Sequence, residues 1–285
     1  MKRFLAFPLV RLLLIALLFC ILATPVVFAA KELHGPWIGI AITWILAMLL
    51  LAATLLVERF TSGKDLSDVG FAPKHAARDL AAGGAIGALL FSLVALELFA
   101  GGFYRILKVH PTPDLAVAAL LIIGGAAFEE MLFRGVIFRL VEEWTGTWIA
   151  LAVSAILFGL AHAANPGATP VSSLAIALEA GVLLGAAYVF TRNLWLPIGL
   201  HFAWNFFEGP VFGTQVSGHS FLRDAVTAQL TGPSWIAGGS FGPEAGLPAI
   251  VTCTIAAVLL LAVASKRNEI VQPAWRKRAL APSRE

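Results

Sequence analysis

Eight apolar stretches divide this chain, at about residues 12–30, 37–57, 80–100, 115–138, 147–163, 171–190, 195–213 and 248–264. Each approaches the roughly 20 residues that an α-helix needs to cross a bilayer. Hydrocarbon offers backbone N–H and C=O groups no partner, so a spanning chain is either helical or closed into a barrel. Runs of this length select the helix. The 285 residues are 59% hydrophobic and only 13% charged, too few charged side chains to cover a soluble domain of this size. The expected fold is an all-α polytopic membrane helix bundle, a single domain of about eight transmembrane helices. Six His, two Cys and a net charge of +3 exclude a disulfide-stapled secreted fold, a Cys-rich zinc module and a strongly basic nucleic-acid binder.

Positive charge predicts the orientation. With the N-terminus inside, 16 of the 20 Lys and Arg fall on the inner side, and only Lys31, Arg105, Lys108 and Arg223 fall outside. Both termini are therefore expected in the cytoplasm, in a multi-pass protein of the cell (inner) membrane. The chain divides into N-terminal helices 1–3 (1–114), a core of helices 4–7 (115–213), an outer loop (214–247), and a last helix with a basic cytoplasmic tail (248–285). The first apolar stretch, preceded by Lys2, Arg3 and Arg11 and ending in Val27-Phe28-Ala29-Ala30, also matches a signal peptide. Arg11 to Ala30 is long enough to span, and this helix is read as retained. The spacings Gly83/Gly87 and Gly181/Gly185 fit close helix crossings in lipid. In the outer loop, Gly232-Pro233, Gly238-Gly239 and Gly242-Pro243 predict either a folded lid or a solvated connector. The tail cations Lys266, Arg267, Arg276, Lys277, Arg278 and Arg284 suit topology or anionic lipid.

An ionisable side chain in a span costs about 2.5–3.5 kcal/mol on insertion scales, so each one needs a reason. Glu97, Glu129, Glu130, Glu179, Glu208, His162 and His201 all fall in the apolar stretches. Glu129 and Glu130 are adjacent, and adjacent helical residues point about 100° apart. Arg134 follows Glu130 by four residues, in the acid-before-base order that favours an ion pair, so Glu130 and Arg134 read as a neutralised supporting pair. Glu129 is left as the free carboxylate, suited to general-base work; the competing reading is a hydrated glutamate at the inner interface. The same i,i+4 spacing puts Phe158 and His162 on one helix face, and His201 and Asn205 on another. Together Glu129, His162, His201 and Asn205 supply a base, two imidazoles and an amide donor, enough to activate water and hold an oxyanion. Glu179 lies mid-helix, and is expected to face the same cavity or to bond a neighbouring helix.

The familiar hydrolytic signatures are missing. The sequence has no His-Glu-x-x-His helix, no phosphate-binding loop and no intramembrane Asp pair. Gly238-Gly239-Ser240-Phe241-Gly242 matches Gly-x-Ser-x-Gly but lacks the strand before it and the helix after it that a nucleophile elbow needs.

Three motifs, Glu129-Glu130-Met131-Leu132-Phe133-Arg134, Phe158-Gly159-Leu160-Ala161-His162 and His201-Phe202-Ala203-Trp204-Asn205, occur in this order in the fourth, fifth and seventh apolar stretches. In this combination the chain resembles the CPBP family of intramembrane proteases, which includes the type II CAAX prenyl endopeptidases and bacterial relatives. The resemblance covers roughly residues 115–213. It implies hydrolysis of a peptide bond in a membrane-anchored or membrane-spanning substrate, with Glu129 and His162 activating water and His201 and Asn205 stabilising the oxyanion or completing the site. Glu130, Arg134 and Phe158 take supporting positions. Zinc held by Glu129, His162 and His201 and a metal-free glutamate site both suit these residues; the metal-free site is preferred. Two other readings use the same residues: a proton-coupled transporter relaying through buried Glu and His, and a non-catalytic membrane scaffold.

Straight helices create a conflict within this reading. At about 1.5 Å per residue, Glu129 and His201 fall in the cytoplasmic half while His162 stands roughly two turns higher. Helix 5 is therefore expected to end within the membrane at His162, where Asn165-Pro166-Gly167 and Pro170 oppose continuation.

Overall fold

Proline sets the starts of many of the helices. Its missing N–H falls where a helix has no intrahelical acceptor to lose, and its φ is already helical. Pro8, Pro36, Pro170 and Pro248 take this place in helices α1 (Pro8–Ala30), α2 (Pro36–Thr61), α6 (Pro170–Thr191) and α8 (Leu247–Lys266). Between them run α3 (Ala76–Ala100), α4 (Leu115–Thr145), α5 (Thr147–Ala161) and α7 (Trp195–Phe206). The computed structural model describes residues 2–31, 33, 35–111, 115–220 and 224–279. Arg223 and Arg284, two of the cations used to orient the chain, lie outside them.

Seven of these helices are long and apolar enough to cross a membrane. The expected eighth, over 195–213, falls short: α7 has 12 residues and a wider π-helical turn, Phe207–Val211, carries it on to Pro210 and stops. Proline removes a hydrogen bond and Gly213 turns away at φ +65°. The helix bundle also carries one small sheet. The strands β1 (Tyr104–Val109) and β2 (Val226–Leu230) pair antiparallel, Tyr104 opposite Leu230 and Val109 opposite Val226. This small sheet gives the loops after α3 and α7 a common folded edge.

α6 and α7 form the centre of the bundle, and α1 is its most peripheral span. Close approach at the centre depends on glycine. A Cβ on Gly83 would stand 2.1 Å from the Leu196 carbonyl, one on Gly87 2.2 Å from the Leu200 carbonyl, and one on Gly199 2.1 Å from the Leu80 carbonyl. α3 and α7 therefore touch backbone to backbone, as small residues permit in lipid, where packing rather than water drives helices together. Gly159 of α5 meets Ser173 of α6 in the same way.

Far from the sheet, an ion network ties α1 to the bundle. Glu58 of α2, fully buried, accepts from Arg11 at 2.7 Å and from Arg139 at 2.7 Å. Glu143 bonds Arg11 and Lys64, and Arg192 bonds Glu142 at 2.7 Å. Glu58 was outside the apolar stretch as read from sequence; two guanidinium groups make its burial tolerable.

Gly87→Ala is expected to cost on the order of 3 kcal/mol or more, because the obstructing atom is backbone and cannot swing aside. Gly84→Ala, whose Cβ would meet only Gly199 O at 4.0 Å, should leave thermal stability in detergent unchanged. Equal melting temperatures for the two variants would contradict this account of the crossing.

Candidate active site

The α-helical hydrogen-bond pattern opens at several of the in-span carboxylates. Glu129 and Glu130 end the first stretch of α4 and are followed by the π-helical turn Met131–Phe138; Glu179 lies in such a turn at Ala177–Gly181, and Glu208 in Phe207–Val211. A wide turn inserts one residue and re-aims the side chains beyond it, a device common at functional sites. It also leaves carbonyls to be satisfied by side chains. Ser154 of α5 donates to Phe133 O at 3.1 Å, and Arg139 to Gly135 O at 2.7 Å.

Glu130 and Arg134, both without solvent exposure, form the i,i+4 pair read from the sequence, at 2.9 Å. The pair does more than neutralise itself. The same Oε1 of Glu130 accepts from His201 Nδ1 at 2.8 Å, and Arg134 reaches across to Ala180 O at 3.2 Å and Gly181 O at 3.1 Å. Three helices, α4, α6 and α7, meet in one connected set of hydrogen bonds. The Arg134 guanidinium also lies over the Phe158 ring, 4.6 Å from its centroid.

α5 ends at Ala161, and His162 heads a single 3-10 turn before Asn165-Pro166-Gly167. The helix stops where the sequence predicted. Its end leaves the Phe158 carbonyl free, and His162 Nδ1 bonds it at 2.8 Å. A carbonyl only accepts, so Nδ1 carries the hydrogen and, in the neutral ring, Nε2 carries a lone pair. The same logic holds for His201, whose Nδ1 faces the Glu130 carboxylate. Both Nε2 atoms then point to one place: each lies 4.0 Å from Glu129 Oε2. That oxygen is buried and has no protein partner.

Three lone-pair acceptors thus face one another at a spacing too wide for direct hydrogen bonds. A water between them can donate two protons to the three acceptors, and a cation can also satisfy them. The donor types suit zinc, and both histidines have the hydrogen-bonded Nδ1 common in zinc sites. The spacing is looser than zinc imposes, since bonds of about 2.0–2.2 Å hold tetrahedral ligand atoms about 3.4 Å apart. Among the described residues no group of three His, Cys, Asp or Glu reaches metal-ligand spacing.

Glu129, His162, His201 and Asn205 line one open cavity of about 410 Å³, together with Ser217 and His219 from the segment after α7. The structure therefore brings the four residues together, and the two-turn separation expected of straight helices is closed. Glu179 lies behind them in a smaller cavity that Ser217 and Glu244 also line. Glu97 stands apart, exposed on α3, with Thr252 as its partner at 3.3 Å. Ser240 lines neither cavity, and its segment follows a single helical turn, Ser234–Ala237, rather than a strand. Sequence reasoning missed Ser217, His219 and Glu244; the available signal was an acid, Glu244, directly after Gly242-Pro243 in the Gly- and Pro-rich second half of the outer loop.

Residues 111–207, which contain all three motifs, match the family model described as type II CAAX prenyl endopeptidase Rce1-like. A Bacillus subtilis (strain 168) protein named "Putative membrane peptidase YdiL" is 30% identical over 95 residues, 32% of this chain and 36% of that protein. The chain thus spans about a third of the length of the curated relative it matches. No solved structure matches the chain. With its seven apolar helices, the chain is an integral, multi-pass membrane protein. Its matched third is similar to the Rce1-like family, as the three motifs are.

Arg134→Met should cost about 3–5 kcal/mol, because it leaves the Glu130 carboxylate buried with only His201 as partner. Exchanging the two residues, Glu130→Arg with Arg134→Glu, should recover only part of that loss, since His201 Nδ1 then faces a guanidinium. Melting temperatures in detergent give both values, and full recovery by the exchange would reduce the Glu130–His201 bond to a bystander.

Proposed function

We propose that this protein is an intramembrane endopeptidase that hydrolyses a peptide bond of a membrane-associated substrate. The observation that carries the reading is the convergence of Glu129 Oε2, His162 Nε2 and His201 Nε2 on one point at the floor of an open cavity. A water held there has its oxygen fixed by acceptors that take its protons, which is the state a hydrolytic nucleophile needs.

In this reading Glu129 takes a proton from the water as its oxygen forms a bond to the substrate carbonyl carbon. His162, fixed by Phe158 O, orients the water from the other side. The carbonyl electrons move to oxygen, and the oxyanion is met by the Asn205 amide, while His201, whose ring Glu130 holds in place, keeps its Nε2 lone pair on the water. Collapse breaks the C–N bond, the nitrogen takes up a proton and leaves as the amine, and the proton held on Glu129 restores the count. Were zinc present, Glu129, His162 and His201 would hold it, and it would supply Lewis-acid activation of water. The substrate is a polypeptide segment in or against the bilayer, because the cavity opens within a helix bundle whose outer surface is apolar. Nothing in the cavity selects a prenyl group.

Glu129→Gln keeps the shape of the side chain and removes its base. Cleavage should fall by about 10²–10⁴-fold, the usual share of general-base catalysis. Asn205→Ala should cost about 10²–10³-fold, as removal of one oxyanion donor does. The measurement is the fragment pattern of membrane proteins in cells producing each variant, with equal amounts of detergent-stable protein. Fragments unchanged in both variants, with a lost proton or solute flux, would replace the peptidase by a carrier. Loss of cleavage in a zinc chelator and its return with zinc would move the reaction to the metal-dependent form.

A further inference from the structure

The open cavity backs onto a smaller one. His162, His201 and Ser217 line both, whereas Glu179, Trp204 and Glu244 line only the inner one. The inner volume of about 20 Å³ suffices for one water. The Trp204 indole Nε1 faces no acceptor although the residue is only 4% exposed, so a water there has a donor waiting for it.

Glu244 is brought to this cavity by the loop before α8. The Ser217 hydroxyl donates to Glu244 Oε1 at 2.5 Å. The Glu208 carboxyl lies within hydrogen-bonding reach of Glu244, and neither of its oxygens has another partner. Glu208 is fully buried and Glu244 is 2% exposed. The other ionisable groups facing them are Glu179 of α6, the Cys253 thiol of α8 and His162. The guanidinium that faces Glu179, Arg134, is already held by Glu130. Two ionised carboxylates only accept, so a hydrogen bond between Glu208 and Glu244 requires a proton on one of them. Like charges in contact, without a cation, require the same. Burial pushes the Glu244 carboxyl up, in the same direction.

We propose that Glu208 and Glu244 share one proton, and that this acid pair, through the Ser217 hydroxyl, is the proton source for the departing amine. The inference rests on the peptidase reading. As the water oxygen bonds the carbonyl carbon, one proton passes to Glu129. When the C–N bond breaks, its electron pair stays on nitrogen, which takes the Ser217 hydroxyl proton as Ser217 accepts the proton of the acid pair. The proton on Glu129 then returns through the cavity water to the pair. One water is consumed, and every side chain ends as it began.

The test uses the full-length protein in detergent. Infrared spectroscopy at neutral pH should find a protonated-carboxyl C=O band that is lost in both Glu208→Gln and Glu244→Gln and retained in Glu97→Gln. Cleavage in both glutamine variants should slow by about 10²-fold with KM unchanged, and the solvent deuterium isotope effect should rise. Ser217→Ala, which leaves both acids in place, should keep the band and lose rate. Absence of the band in the wild-type protein overturns the shared proton. Wild-type rates and isotope effects in all three variants overturn the supply role while the peptidase stands. No cleavage by the wild-type protein removes both readings together.

Discussion

One carboxylate oxygen organises the centre of this molecule. Glu130 Oε1 accepts from Arg134 on its own helix and from His201 on α7, while Arg134 extends to two carbonyls of α6. In a low-dielectric interior such bonds are strong, and leaving any member unpaired is costly, so the set is held together as a unit. Its consequence is geometric. With Nδ1 committed to Glu130, His201 presents Nε2 towards Glu129, and the Phe158 carbonyl imposes the same choice on His162. The tautomers at the site are thus set by groups one shell further out.

The wide turns explain how a bundle of short-range helical hydrogen bonds can present so many ionisable groups to shared cavities. An uninterrupted α-helix would send Glu129, Glu130 and Arg134 along fixed directions. The π-helical turn that starts at Met131 breaks that regularity one residue after Glu130. The end of α5 at Ala161 then supplies the free carbonyl that fixes His162. Neither irregularity is left with bare backbone: Ser154, Arg139 and His162 each fill a carbonyl that the altered pattern releases.

Much of this was legible in the sequence because cost is legible there. Apolar run length gave the spans, and charges inside them marked Glu129, Glu130, Arg134, His162, His201 and Glu179 as residues requiring partners. The i,i+4 spacing gave the Glu130–Arg134 pair and the shared face of Phe158 and His162. The bond from His201 to Glu130 was not legible, since it joins residues 71 positions apart and depends on how α4 and α7 pack. Ser217 and Glu244 were hidden for another reason. Loop residues carry no penalty in sequence, and the burial of Glu244 appears only once the segment folds over the bundle. The sheet was missed because its strands are separated by over a hundred residues and are short.

Two groups of buried acids in the same protein show different answers to the same cost. Glu58 meets two guanidinium groups, Arg11 and Arg139, and the Ser62 hydroxyl. Its network joins α1 and α2 to the far end of α4, and neither cavity reaches it. Among the described residues Glu208 and Glu244 have no Lys or Arg partner and face a third acid, Glu179. Desolvation of a charge is repaid only by excellent pairing, which the first group has and the second lacks. A fold that needed only stability would have an apolar side chain at such positions at no loss. Carboxyl groups kept together without a counter-charge, beside a water-sized cavity that opens to the Glu129 site, hold a proton where an apolar side chain would hold none.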